Sequence, residues 1–151
     1  MEKKKLISFC LWGDEPFYNV GAIRNAELAL KYYEGWICRY YMATDVPRET
    51  IEELNSFQNV EIIIMENEPV SWRGMLWRFY PLSESNVECV IFRDTDCRLG
   101  VREKTAVDEW MESGKTIHIM RDHPMHTEPI MGGMWGARCQ QFHEVLCTVW
   151  G

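Results

Sequence analysis

The sequence predicts an α/β domain in which a mostly parallel central sheet is flanked by helices. Short apolar runs alternate along the chain with segments whose apolar residues recur every three or four positions, the pattern of strand followed by crossover helix. Polar or acidic residues close several of the runs, and in such sheets ligands lie at the carboxyl ends of the strands. The 151 residues fit one domain, 1–151, with no repeat, low-complexity segment or linker to divide them.

The first run, 6–11 (LISFCL), is short and bounded by lysine and Trp12-Gly13-Asp14, which suits a buried strand. Residues 21–33 carry Ala22, Ile23, Ala26, Ala29, Leu30 and Tyr33 on one helical face, and Gly35 stops that helix. A second strand is expected over 37–43, ending at Thr44-Asp45. Pro47 opens a helix over 49–57, and 60–65 (VEIIIM) is the third strand. The aromatic stretch 72–80 has helical spacing, ends at Pro81 and is expected as core under the sheet. A fourth strand, 89–92, runs into Arg93-Asp94-Thr95-Asp96. A helix over 103–111, a fifth strand over 116–120 and a helix over 137–150 complete the expectation.

Composition narrows the function. The chain is 46% hydrophobic and 26% charged, ordinary for a globular protein, and its net charge of -7 argues against general affinity for nucleic acid. Six cysteines with no CxxC pair read as reduced thiols of a cytoplasmic protein. The apolar run after the basic start is too short for a signal peptide or a membrane span, so no integral membrane segment is expected.

The chemistry concentrates at Asp94 and Asp96. Two aspartates one residue apart at a strand exit point to the same side, and their repulsion is relieved by a hard divalent cation. Mn2+ or Mg2+ held by one or two carboxylates, with water and phosphate completing the shell, is the usual arrangement for nucleoside-diphosphate substrates. The plainer reading makes them solvated loop acids paired with Arg93 and Arg98. A phosphohydrolase with a DxDx[TV] motif fits less well, since residue 98 is arginine. Asp122-His123 can orient or activate a hydroxyl, as catalytic base or acceptor contact. Gly132-Gly133 lets backbone approach a ligand, and Trp135 is either a platform for an acceptor sugar or a packed core residue.

The segments GAIRNA (21–26), FRDTD (92–96), MRDHP (120–124) and GGMWG (132–136) are similar to those of a group of bacterial and large-DNA-virus glycosyltransferase-like proteins. More broadly, the chain to about Arg138 resembles the GT-A glycosyltransferases, and its last two segments loosely resemble stretches of the blood-group A/B transferases. The resemblance implies a Rossmann-like GT-A domain that moves a sugar from a nucleoside-diphosphate sugar, most simply a UDP-sugar, to a saccharide or other hydroxyl acceptor. It implies Asp94 at the ribose or bridging to the metal, Asp96 as direct ligand, Arg73 or Arg78 beside the diphosphate, and Asp45 at the nucleoside. Trp12, Arg24 and Asn25 belong to the same implied donor side. Many members of the fold take a third ligand, commonly histidine, from a later segment. The only histidine after Gly136 is His143, which reads as a surface or packing residue. The competing expectation is therefore a non-catalytic nucleotide-sugar or carbohydrate-binding module.

Overall fold

A computed structural model describes residues 2–150, excluding the side chain of residue 150. Six strands form one mixed sheet: β1 (Lys4–Leu11), β2 (Trp36–Met42), β3 (Val60–Ile64), β4 (Val87–Phe92), β5 (Ile117–Ile119) and β6 (Trp135–Arg138). Their order across the sheet is β3-β2-β1-β4-β6-β5. The pairings of β1 with β2, β1 with β4 and β2 with β3 are parallel, whereas β6 runs antiparallel to both β4 and β5.

Alternation along the strands divides the core into two layers. Ile7, Phe9 and Leu11 of β1, with Tyr40 of β2 and Ile91 of β4, pack against Ala22, Ala26 and Ala29 of α1 (Pro16–Tyr32), Leu54 of α2 (Arg48–Asn55) and Val107 and Trp110 of α3 (Val101–Ser113). Small alanines at three- and four-residue spacing let α1 lie close to the sheet, where Tyr40 donates its hydroxyl to the Ala22 carbonyl at 2.7 Å. On the opposite face, Leu6, Val90 and Phe92 meet Phe79, Leu82 and Cys139. Phe79 and Leu82 come from a 3-10 segment, Trp72–Ser83, and Cys139 opens α4 (Cys139–Trp150).

Three local expectations are corrected. Helix α1 begins at Pro16, five residues before the expected start, because proline at the first helical position costs no hydrogen bond. The 72–80 stretch is not core throughout and does not stop at Pro81. It winds as a 3-10 segment in which Gly74, Trp77, Arg78 and Pro81 are buried, while Trp72, Met75, Leu76 and Tyr80 are exposed. Finally, residues 135–138 form a strand rather than the start of the last helix, inserted between β4 and β5.

Two buried arginines carry ion pairs across layers. Arg39 reaches Glu61 at 3.0 Å and Glu84 at 2.6 Å, fastening β3 and the loop before β4 to β2. Arg93 donates from Nε to Glu103 at 2.7 Å and from Nη1 to the Phe92 carbonyl at 2.8 Å. Glu103 also accepts the Tyr33 hydroxyl at 2.8 Å, so one carboxylate joins α1, α3 and the end of β4.

His118 on β5 is stacked on Trp110 at 5.4 Å between ring centroids. Burial, with the Arg93 charge nearby, holds its imidazole down to about 4 from an ordinary 6.5. Below pH 6.5 the unfolded chain binds a proton there that the folded chain refuses, so this contribution is intact above that pH and declines toward pH 4. Denaturant titrations at neutral pH and near pH 4 should show an acid-induced loss larger by about 2 kcal/mol in the wild type than in His118→Gln.

Candidate functional site

The carboxyl end of β4 opens into the segment Arg93-Asp94-Thr95-Asp96, and α1 holds it in place. Asn25 donates to the Cys97 carbonyl at 2.7 Å and the Thr95 carbonyl at 3.4 Å, and accepts the Leu99 N–H at 3.0 Å. One turn earlier, Gly21 faces the same segment so closely that a Cβ there would fall 2.0 Å from the Thr95 oxygen. Arg98 adds a bond to that oxygen at 3.1 Å. Asn25 is buried and has both amide ends occupied, so it braces the acidic loop and is not free to meet a donor.

Asp94 is half-exposed and bonds Arg78, which is 5% exposed and also donates to the Arg93 carbonyl at 3.3 Å. Ser8 of β1 fixes the Arg78 backbone through its carbonyl at 2.7 Å. Gly133 closes over this pair, since a Cβ on it would lie 2.2 Å from Asp94 Oδ2, and one on Gly132 would lie 3.0 Å from Arg78 Nη2. The two glycines thus allow backbone to approach the Asp94–Arg78 pair, a close contact inside the protein itself.

Asp94 borders two cavities. The first, about 390 Å³, is lined by Cys10, Leu11, Trp12, Tyr18, Met75, Asp94, Thr95 and Asp96. The second, about 690 Å³, lies beyond Asp94 and Met75 and includes Arg78, Arg98, Arg102, Asp122, His123, His126, Gly132 and Gly133 in its wall. Both volumes are in the range of small-molecule clefts. Cys10 at the first cavity is a protonated thiol, because burial pushes it up to about 11 against the pull of Arg78.

The two carboxylates share the first cavity, but their circumstances differ. Asp94 is engaged by Arg78, whereas Asp96 is exposed and the ion pairs at this end of the sheet go to Asp94 and Glu103. Among the described residues no group of three or more His, Cys, Asp or Glu is placed to hold a metal ion. Two carboxylates on one wall still suit Mg2+ or Mn2+, which keep several waters and take substrate phosphate oxygens to complete an octahedral shell.

Other expected site residues lie elsewhere. Asp45 is exposed and accepts the Gly13 N–H at 2.9 Å, tying the loop after β1 to the end of β2. Gly13 has a φ of 74°, which its lack of a Cβ permits, so this bond shapes the loop that carries Trp12. Arg24 is exposed and paired with Glu27 at 2.7 Å, and Arg73 is exposed with its guanidinium 6.0 Å from the Trp72 ring. Neither lines the two cavities. The Trp135 ring is packed with Phe92, Phe79 and Phe142 at centroid distances of 4.5, 5.8 and 6.1 Å, which agrees with the packed-core alternative of its two expected roles.

The expected Asp122–His123 pair is replaced by another. Asp122 Oδ1 lies 3.3 Å from His126 Nδ1, while His123 Nδ1 accepts the Met125 N–H at 3.1 Å. A neutral imidazole that accepts at Nδ1 carries its proton on Nε2, which makes His123 a donor and not a base. Asp122 beside His126 Nδ1 favours the opposite tautomer, leaving Nε2 of His126 with a lone pair able to take a proton. The contact falls short of hydrogen-bond geometry in this conformation, so His126 Nδ1 is without a partner. Asp122 and His126 are four residues apart in a segment without helix, so their spacing in the sequence gives no signal for this pair.

Among the described residues no helix is long and apolar enough to cross a membrane. All six cysteines are free thiols. No protein-family model matches the chain, and no curated protein matches it.

Proposed function

We propose that this chain is a metal-dependent glycosyltransferase of the GT-A class, acting from a nucleoside-diphosphate sugar on a hydroxyl acceptor in a cytoplasmic setting. The observation that carries the reading is the position of Asp94, on the wall shared by two cavities. A donor diphosphate beside Asp94 and Asp96 would have its sugar directed toward the second cavity, where an acceptor hydroxyl would meet it. Trp12 and Tyr18 offer flat faces for a base, and Arg78 supplies positive charge behind Asp94. A divalent cation held by the two carboxylates and the diphosphate would neutralise the departing nucleoside diphosphate. His126 Nε2 is the favoured acceptor-side base, with the Asp122 carboxylate 3.3 Å from its Nδ1, and His123 Nε2–H is a hydrogen-bond donor to the acceptor.

The small protein-derived donor set favours a second reading, a nucleotide-sugar-binding module without turnover. Labelled UDP-sugar supplied with Mn2+ and a panel of saccharide acceptors separates the two. Metal-dependent transfer or slow hydrolysis is expected of the enzyme, and binding without either product marks the module. If Mn2+ with UDP, GDP or CDP leaves the melting temperature unchanged, both readings fail.

A further inference from the structure

We propose that the second cavity takes an anionic acceptor, a hydroxyl compound bearing a phosphate or carboxylate, with Arg102, Arg98 and the start of α3 receiving the negative group. The inference rests on the donor reading above and names the acceptor class for the same site.

Four arginines line this cavity, and they are not equivalent. Arg78 and Arg93 are matched to Asp94 and Glu103. Arg98 and Arg102 instead donate to backbone carbonyls, of Thr95 and Cys97 in the first case and of Asp122 at 3.4 Å in the second. Two exposed guanidinium groups thus face one cavity without a carboxylate assigned to them among the described residues, in a chain of net charge -7. The remaining carboxylate in the wall, Asp122, is turned to His126.

Helix α3 adds a second source of positive potential. Its N-cap is Gly100, which offers no side-chain cap, and Gly100, Arg102 and Glu103 all border the cavity. Glu103, the acid of the first turn, is committed to Arg93 and Tyr33 and does not fold back on the helix start. The first-turn N–H groups therefore have the arrangement that binds oxyanions at helix starts. A neutral sugar would leave the charges of Arg98 and Arg102 unanswered, whereas a phosphate or carboxylate matches a guanidinium in two parallel bonds.

The test is calorimetric titration of the whole chain, without metal, using glucose 6-phosphate, glucuronate and glucose as probes. Saturable binding of at least one anionic sugar, at least tenfold tighter than glucose, is expected. Arg102→Gln should weaken it tenfold or more and Arg102→Glu should abolish it, while binding of UDP with Mn2+ persists in both variants. Arg102 is an exposed side chain, so the melting temperature should stay close to that of the wild type. Equal affinity for glucose, no binding of either anionic sugar, or binding indifferent to Arg102→Glu overturns the proposal. Since these titrations contain no metal and read Arg102, their failure leaves the Mn2+ and UDP result standing, and the converse also holds.

Discussion

Replacing Glu103 by alanine is expected to remove about 3–5 kcal/mol of stability, the range found when one partner of a buried ion pair is deleted. Arg93 is 2% exposed, and its Nε–H and charge are directed to Glu103 at 2.7 Å. Without that carboxylate the guanidinium would stay buried with only carbonyl and sulfur neighbours, and the Tyr33 hydroxyl would lose its acceptor as well. Against a typical total of roughly 5–15 kcal/mol, such a loss is a large share. Urea unfolding at neutral pH provides the measurement. The double variant Arg93→Met with Glu103→Leu should recover most of the loss, because removing both charges avoids the stranded cation. A single-variant loss below about 1 kcal/mol, as for a solvated surface pair, contradicts the buried network.

Gly21→Ala carries the second large effect. Helix propensity alone favours alanine over glycine inside α1 by about 1 kcal/mol. Sterics decide the other way: the new methyl would sit 2.0 Å from the Thr95 carbonyl oxygen, a backbone atom that no rotamer change can move. Either α1 shifts away from β4 or the acidic segment is pushed outward, and the net loss should be about 3 kcal/mol. The displaced segment carries Asp94 and Asp96, so nucleotide affinity should fall together with stability. Thermal unfolding and UDP titration on the same sample check both. An unchanged or raised melting temperature would mean that α1 does not clamp this segment.

The periodic parts of the fold were legible in the sequence. β1 to β4 and the three helices packed on one face follow from apolar runs and alanine-rich spacing, with boundaries displaced by a few residues. β6 was hidden because Trp135-Gly136-Ala137-Arg138 is four residues long and contains a glycine, leaving no alternation to detect. That glycine is needed where it lies, since a Cβ on it would come 2.8 Å from the Val90 carbonyl oxygen. The 3-10 winding was not legible for a related reason: its buried residues, Gly74, Trp77, Arg78 and Pro81, fall at the i, i+3, i+4, i+7 spacing of an α-helix.

For the site, the acidic pair identifies the position, but the roles of its neighbours depend on tertiary contacts. Asn25 lies in a segment that suggested donor contact, yet its amide is spent on the acidic loop. Arg78 and Arg73 are alike in the sequence, and only burial beside Asp94 separates them. Arg98 and Arg102 gave no sequence signal as a pair, because the start of α3 brings them to one cavity.

The proposed cation site depends most on Asp96, which is exposed on the wall of the first cavity and makes no ion pair with the arginines that hold Asp94 and Glu103 in place. Calorimetric titration of UDP in the presence and absence of Mn2+, with the wild type and Asp96→Ala, tests it directly. Expected are metal-dependent binding in the wild type, its loss by a factor of about 100 in Asp96→Ala, and an unfolding free energy within about 0.5 kcal/mol of the wild type. Metal-independent binding of UDP, or equal affinity in the two proteins, would contradict it.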